Sequence, residues 1–303
     1  MIKSLEPNSL PPCSTHTMYR PPAEAQSVLI RVADGCPYNG CTFCTMYKNV
    51  PYRIHDHYEQ IQSIVEAAQV TPAARRIFLA DGDALALPMH MLEKILKHLH
   101  EQFPRLARVT CYASGRSLLQ KNQKELHELH SLGLRTVYLG LESGSDTVLQ
   151  MLNKNSTSAA MIEGAQRASQ AGIAVSAIIM TGAGGQQYSA EHVSKTAHAL
   201  GYMRPRQLSC LRLIPIPGTP LAQQIEQGQF SPLSEYQSIK ELADLLSALP
   251  SWPCIFRADH RSNILPLAGR LPKDTPALLQ ELHELLATGY LLSDGPGAYP
   301  ASL

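Results

Sequence analysis

The residues best suited to chemistry are three cysteines, Cys36, Cys41 and Cys44, which lie in the stretch GCPYNGCTFC. Thiolates this close in the chain can converge on one metal centre. A structural zinc site has four ligands, so zinc would require a further side chain such as His55 or His57. A four-iron cluster held by three thiolates instead leaves one iron open to a substrate or cofactor. The spacing therefore predicts a metal centre, with an iron–sulfur cluster and zinc as the alternatives.

The cysteine count supports a metal site over disulfides. The chain has seven cysteines, and an odd number with three of them clustered is a poor disulfide framework. We expect the others to be reduced thiols, and those at 111 and 210, inside apolar runs, to be buried. These scattered residues are Cys13, Cys111, Cys210 and Cys254.

Length and charge narrow the class of protein. A chain of 303 residues, 44% of them hydrophobic, can bury a large core and suits one α/β domain with small additions. The net charge is only +1, whereas proteins that bind nucleic-acid phosphates are usually strongly basic. Nucleic acid is therefore a disfavoured partner, although the sequence still allows a local basic patch. No run reaches the roughly 20 apolar residues of a membrane helix, and no apolar signal segment begins the chain. We therefore expect a cytoplasmic protein that does not enter a membrane.

Strand-like runs alternate with helix-like segments, which indicates a parallel sheet with right-handed crossovers. The strand-like runs are Ser27–Ala33, Arg75–Ala80, Ala107–Tyr112, Arg135–Gly140, Ile173–Met180 and Gln207–Ile214. The helix-like segments between them are His57–Gln69, Met89–Gln102, Asn122–Leu132, Ser158–Ala171 and Ala190–Gly201. The tail adds Glu235–Leu249 and Thr275–Ala287. On this pattern alone, an open sheet and a curved, incomplete (β/α) barrel fit equally well.

The cysteine loop resembles that of the radical S-adenosylmethionine (SAM) superfamily. It follows the first predicted strand, and an aromatic residue, Phe43, precedes the last cysteine. The commonest family spacing is C-x3-C-x2-C, whereas this chain has C-x4-C-x2-C; the string GCPYNGCTFCTMYK resembles a variant of the motif. The resemblance implies a partial (β/α)6 barrel, a [4Fe–4S] cluster on Cys36, Cys41 and Cys44, and Phe43 among the cofactor contacts.

Two acidic motifs extend the resemblance. Asp81-Gly82-Asp83 follows the second run, at the place of the family's Gly-Gly-Glu motif, which holds the amino group of SAM; a simple turn is the alternative. The stretch LGLESGSD after the fourth run resembles proteins related to oxygen-independent coproporphyrinogen oxidase and the methylthiotransferases. By that resemblance Glu142 would bind the ribose hydroxyls of SAM, and Ser145 is placed to cap the next helix.

Further candidates follow the remaining runs. Ser114 and Arg116 follow the third run and are candidates for the SAM carboxylate, with a solvated loop arginine as the alternative. Thr181 and Gly182, in MTGAGG, occupy the place of the family's adenine-contacting backbone. Arg212 is a further cofactor-binding candidate, in a run that leads into a PGTPL ending like that of the coproporphyrinogen-oxidase group.

The tail holds the candidates for substrate chemistry. Its stretch FRADHRSN contains Asp259 and His260, and a histidine titrates near neutrality, so these two are candidate catalytic residues; a packing loop is the alternative. The predicted organisation is an N-terminal extension (1–26), a core barrel (27–233) and a helical C-terminal extension (234–303) that could cover the substrate site.

The resemblance also implies a mechanism. An electron from a flavodoxin- or ferredoxin-type donor would enter the cluster, SAM would be cleaved to a 5′-deoxyadenosyl radical, and the radical would take hydrogen from a small organic substrate. The protein would supply binding, orientation and exclusion of water. Two alternatives stay open: an enzyme that modifies tRNA or protein, and a cofactor-binding or chaperone protein that keeps the fold without radical turnover.

Overall fold

The structure, a computed structural model, describes residues 16–299 and is built on one eight-stranded sheet. The strands are β1 (Val28–Arg31), β2 (Ala33–Asp34), β3 (Arg53–Ile54), β4 (Arg76–Ala80), β5 (Arg108–Ala113), β6 (Leu134–Glu142), β7 (Ala174–Thr181), β8 (Gln207–Arg212), β9 (Cys254–Ala258) and β10 (Leu267–Leu271). The sheet order is β1-β4-β5-β6-β7-β8-β9-β10, while β2 and β3 form a separate ribbon. Neighbours from β1 to β9 are parallel and β10 is antiparallel to β9. All six predicted strands are present, in a partial (β/α) barrel.

Helices connect the strands. They are α1 (His57–Val70), α2 (Met89–Gln102), α3 (Gly115–Leu119), α4 (Gln123–Ser131), α5 (Asp146–Met151), α6 (Ser158–Gln170), α7 (Gly185–Met203), α8 (Pro220–Glu226), α9 (Glu235–Ala248) and α10 (Thr275–Ala287). The seven predicted helices are confirmed. The short helices α3, α5 and α8 are additional, and α3 and α5 each begin within a few residues of a strand's carboxyl end. Ser145 caps α5 as predicted, since its hydroxyl accepts a hydrogen bond from Val148 N.

The two faces of the sheet pack differently. Alternate residues such as Ile77 and Leu79 of β4 join the large core between sheet and helices. Phe78, on the other face, packs edge to face on Tyr112 at 5.1 Å, and Tyr138 lies in the same cluster. The Tyr138 hydroxyl donates to Glu24 Oε1 at 2.7 Å. Large side chains thus fill the interior beneath the carboxyl ends of the strands, where the candidate site residues lie.

The C-terminal extension continues the same sheet. It contains the two predicted helices, α9 and α10, and also the strands β9 and β10, which the sequence analysis did not predict. Because β9 pairs in parallel with β8, the sheet crosses the predicted boundary at 233/234. Cys111, Cys210 and Cys254 are free and buried, and Cys13 lies outside the described residues. No helix within residues 16–299 is long and apolar enough to cross a membrane.

Candidate active site

The cysteine loop is closed at its base and tied to neighbouring elements. Pairing of β2 with β3 brings its two ends together, and Arg53 Nη2 lies 3.0 Å from Asp34 Oδ2 across that pair. Thr42 N donates to Leu152 O after α5 at 3.0 Å, and Leu221 N of α8 donates to Thr42 O at 3.1 Å. The short helices α5 and α8 therefore hold the middle of the loop.

The three thiols lie together near the carboxyl ends of the strands. Each is partly buried, and burial raises the pKa of Cys41 to about 11 and raises that of Cys44. Such thiols stay protonated until a metal displaces the proton. In the described part of the chain, one group of three His, Cys, Asp or Glu side chains has ligand atoms within 4.8 Å of one another, and the cysteines are not that group. In a zinc site each sulfur lies about 2.3 Å from the metal, so the sulfur atoms would lie less than 4.8 Å from one another. The three cysteine sulfurs do not all lie that close to one another, and their spacing suits a centre with several irons.

The histidines offered as a fourth zinc ligand are not placed as one. His55 is buried, with its Nε2 3.1 Å from Asp34 Oδ1, and His57 is exposed at the start of α1. The group that does lie within 4.8 Å is His16, Asp34 and Asp81. Because Arg31 Nε lies 3.1 Å from Asp81 Oδ2, a protein cation already faces that carboxylate. The donor set thus fits the iron–sulfur alternative better than zinc.

Gly82 joins the Asp-Gly-Asp turn directly to the cysteine loop. Its N–H donates to Gly35 O at 2.9 Å. A Cβ at this position would lie 2.6 Å from the Cβ of Cys36 and 3.0 Å from its sulfur, so only glycine permits this approach. The predicted turn is therefore part of the cysteine site, although not all of its side chains point there.

The two acids of that turn have different surroundings. Asp81 contacts His16 Nε2 at 3.2 Å as well as Arg31, so its carboxylate is engaged in the charged group beneath the loop. Asp83 is buried and accepts a hydrogen bond from Ser114 N through Oδ2, at 3.2 Å. Burial raises the pKa of Asp83. Its Oδ1 is buried without a hydrogen-bond partner, and such an atom suits an incoming ammonium group.

The candidates for the SAM carboxylate are not brought to the cysteine loop. The Ser114 hydroxyl accepts from Ser117 N at the start of α3, so it serves as a helix cap. Arg116 is exposed on α3, and no hydrogen bond or ion pair of its side chain exists within the described residues. These two residues remain candidates, and the structure places a different cation nearer the cysteines.

That cation is Lys154, which the sequence analysis missed. Its Nζ lies 2.8 Å from Glu142 Oε1, and 16% of its side chain and 10% of that of Glu142 are exposed. Burial alone would lower the pKa of Lys154, but the carboxylate of Glu142 and the thiols of Cys41 and Cys36 raise it. Glu142 has φ 57°, at a bulge in the pairing of β6 with β7. A pair of opposite charges therefore lies beside the cysteines; its sequence signal was a lone lysine just after α5.

A second missed residue, Glu241, ties the C-terminal extension to the predicted adenine site. Its buried carboxylate accepts from Gly182 N at 2.6 Å and from the Ser189 hydroxyl. Burial raises its pKa to about 7. His192 Nε2 lies 3.8 Å away, and burial lowers the pKa of His192 to about 4, so the imidazole is neutral. In the sequence, the sign of this role was that Glu241 lies on the apolar face of the helix predicted at Glu235–Leu249.

The remaining candidates lie around this centre. Phe43 is partly buried against the apolar cluster that includes Met180 and Leu213. Thr181 pairs in register with Arg212, and both line a small pocket with Gly182. The Arg212 guanidinium faces the C-terminal residues, described below.

Asp259 and His260, the two candidate catalytic residues of the tail, contact different parts of the structure. Asp259 is exposed and lies 3.2 Å from Arg257 Nη1. His260 is half-buried, with Nδ1 2.8 Å from the Ser262 hydroxyl oxygen, which in turn accepts from Arg212 N at 3.2 Å. His260 thus contacts the end of β8 through Ser262, while Asp259 faces solvent. A catalytic role for either stays a prediction.

Three cysteines, a buried carboxylate oxygen without a hydrogen-bond partner and a Glu–Lys pair lie at the carboxyl ends of a parallel, barrel-like sheet. This arrangement fits an enzyme site built around a metal cluster. The family model described as the Radical SAM superfamily matches residues 30–198, more than half of the 303-residue chain. The chain therefore belongs to the radical SAM superfamily and is an enzyme of that superfamily, whose cofactors are SAM and a [4Fe–4S] cluster. A search of curated proteins found no significant sequence match.

Solved structures of similar fold include several radical SAM enzymes. The methyltransferase TsrM from Kitasatospora setae has a TM-score of 0.59 at 14% identity, covering 86% of this chain and 61% of its own. The cobalamin-dependent enzyme OxsB has a TM-score of 0.58 at 15% identity, covering 73% and 41%. Coproporphyrinogen III oxidase (HemN) from Escherichia coli has a TM-score of 0.56 at 15% identity, covering 73% and 51%. The chain spans less than two thirds of each, and at these identities the likeness concerns the fold.

Proposed function

We propose that this enzyme cleaves SAM reductively and uses the resulting radical to take hydrogen from a small organic molecule. The observation that carries the proposal is convergence where β1, β4 and β6 end: the Glu142–Lys154 pair lies beside the cysteines, and Asp83 directly follows Gly82, whose backbone packs against Cys36. SAM carries an ammonium, a carboxylate and a ribose diol, and the site offers a group suited to each.

Each of these residues is assigned to a different part of SAM. Asp83 Oδ1, buried and without a partner, accepts from the ammonium. Lys154 binds the carboxylate of SAM. Its ammonium, which pairs with Glu142 in the structure, is then shared between the two carboxylates. Glu142 binds the ribose hydroxyls, because a carboxylate accepts two hydrogen bonds at once. The backbone at Gly182, fixed by Glu241, lies against the adenine.

The thiols hold the cluster, which when bound supplies the electron that splits SAM into methionine and a 5′-deoxyadenosyl radical. That electron would come from a flavodoxin- or ferredoxin-type donor protein. The chain's part is to hold SAM in one orientation and to exclude water from the radical. A net charge of +1 favours a small substrate over nucleic acid.

The test is anaerobic reconstitution to about four iron and four sulfide per chain, followed by chemical reduction with SAM present. We expect 5′-deoxyadenosine to accumulate in the wild type and not in a Cys36→Ala, Cys41→Ala, Cys44→Ala variant. A fully loaded wild type that forms no 5′-deoxyadenosine would contradict the proposal and favour a SAM-fold chaperone. Accumulation only after a tRNA or a protein is added would favour a macromolecular substrate.

A further inference from the structure

Arg212 is a buried cation balanced by main-chain carbonyls. It ends β8, at the same edge of the sheet as the cysteine loop, and is 8% exposed. Its Nη1 donates to Pro296 O and its Nη2 to Ala298 O, each at 3.2 Å. Its Nε is buried without a hydrogen-bond partner, and within residues 16–299 no carboxylate forms an ion pair with it. Burial lowers the pKa of Arg212, and the charges of Tyr299 and Glu235, neither of which is ion-paired with it, only partly offset that effect.

The carbonyls belong to residues 295–299, which we call the C-terminal strap. The strap has no regular secondary structure, and its Tyr299 ring covers the guanidinium, with the ring centre 4.9 Å from Cζ. Glu235 N donates to Gly295 O at 3.1 Å, and the backbone at Gly297 packs on the Glu235 side chain. Within residues 16–299 the strap is therefore held by few hydrogen bonds, and Glu235 and Arg212 supply its main contacts.

A carboxylate or phosphate would bind this guanidinium more strongly than two carbonyls do. The planar fork presents parallel N–H donors that match two oxygens of one anion, and a full negative charge strengthens both bonds. Water is largely excluded, so the gain is larger than at a surface. The site also adjoins the SAM site, because Thr181, Gly182, Arg212 and Pro296 line one pocket.

We propose that Arg212 binds the carboxylate or phosphate group of the substrate, and that the C-terminal strap occupies this position until the substrate displaces it. The proposal rests on the proposed function, in that the anion is part of the molecule that loses hydrogen. It names the substrate class as anionic. It also gives the C-terminal extension a role as a cover that opens at Arg212.

The experiment titrates the full-length protein with acetate and with inorganic phosphate, followed by calorimetry and by hydrogen exchange of the strap amides. We expect an added anion to speed exchange at residues 295–299 of the wild type. Arg212→Gln should exchange rapidly there without any anion and should not bind either one. Tyr299→Ala should bind the anion about two- to fivefold more tightly, because the strap loses its ring contact with the cation. Whichever anion binds more tightly identifies the group as carboxylate or phosphate.

Three results would overturn the inference. Arg212→Gln that binds the anions as the wild type does would place them elsewhere. Failure of both anions to bind either the wild type or Tyr299→Ala would reduce Arg212 to an anchor for the strap. Weaker SAM binding by reconstituted Arg212→Gln than by the wild type would assign Arg212 to the cofactor. Conversely, an Arg212-dependent anion site in a protein that never forms 5′-deoxyadenosine would leave this site standing and contradict the proposed function alone.

Discussion

Replacing Glu142 by Gln has two effects that can be separated, because this carboxylate both pairs with Lys154 and is proposed to bind ribose. Gln keeps the size of the side chain, and the backbone at φ 57° is equally demanding for both residues. With 16% of its side chain exposed, Lys154 becomes a largely buried ammonium without its carboxylate partner. Breaking a fully buried pair costs about 3–5 kcal/mol, and the residual exposure here reduces the expected loss of stability to about 1–3 kcal/mol.

The effect on SAM follows from the lost charge. Hydrogen bonds to a charged acceptor contribute about 1.5–3 kcal/mol, so Glu142→Gln should weaken SAM binding by about ten- to a hundredfold. Adding Lys154→Met removes the unpaired ammonium. The double variant should therefore regain most of the lost stability without regaining SAM affinity, and should bind SAM still less well if Lys154 contacts the carboxylate.

The assay measures the melting temperature and the SAM dissociation constant by calorimetry on anaerobically reconstituted protein, with iron content as the control for an intact cluster. Glu142→Gln that binds SAM as the wild type does would refute the reasoning. So would a double variant that regains wild-type affinity, because the pair would then be purely structural.

Three further predictions concern the supports of the site. Gly82→Ala should lower iron incorporation, because its Cβ would lie 2.6 Å from that of the nearest cysteine, whereas the control Gly295→Ala, whose Cβ meets nothing within 4 Å, should load normally. Burial raises the pKa of Glu241 from 4.5 to about 7, so this group costs the fold stability as pH rises through that window. The free energy of unfolding of Glu241→Gln, relative to that of the wild type, should therefore rise by up to about 3 kcal/mol between about pH 4 and about pH 8. A difference that does not change with pH would show that Glu241 is not a buried titrating acid. His260→Ala should keep normal iron content and SAM affinity but form more 5′-deoxyadenosine per product, and a loss of SAM binding would instead place it in the cofactor site.

The sequence predicted the main elements because periodicity and motif order are local properties. All six predicted strands and the capping role of Ser145 follow from short stretches of chain, and the position of each motif after a strand places it at one edge of the sheet. The strands β9 and β10 were missed because they are short and follow Pro-containing stretches. The pairing of β9 with β8 is a long-range contact, and β10 joins the sheet only through β9.

The partners of the site residues were beyond the sequence. Lys154 and Glu241 carry no motif, and their importance comes from atoms distant in the chain: the carboxylate of Glu142 in one case and the N–H of Gly182 in the other. Arg116 illustrates the converse, because its position after a strand suggested a ligand contact, whereas the fold leaves its side chain exposed. Identity and spacing select candidates, and tertiary packing decides which of them meet.

The most direct test of the central claim is the electron paramagnetic resonance spectrum of the reduced, reconstituted protein, recorded with and without SAM. Three cysteine ligands leave one iron open, so we expect the signal of a reduced four-iron cluster whose g values change when SAM is added. The variant in which Cys36, Cys41 and Cys44 are all alanine should show neither the signal nor the change. A spectrum that is indifferent to SAM, or protein that takes up zinc and no iron, would contradict the account.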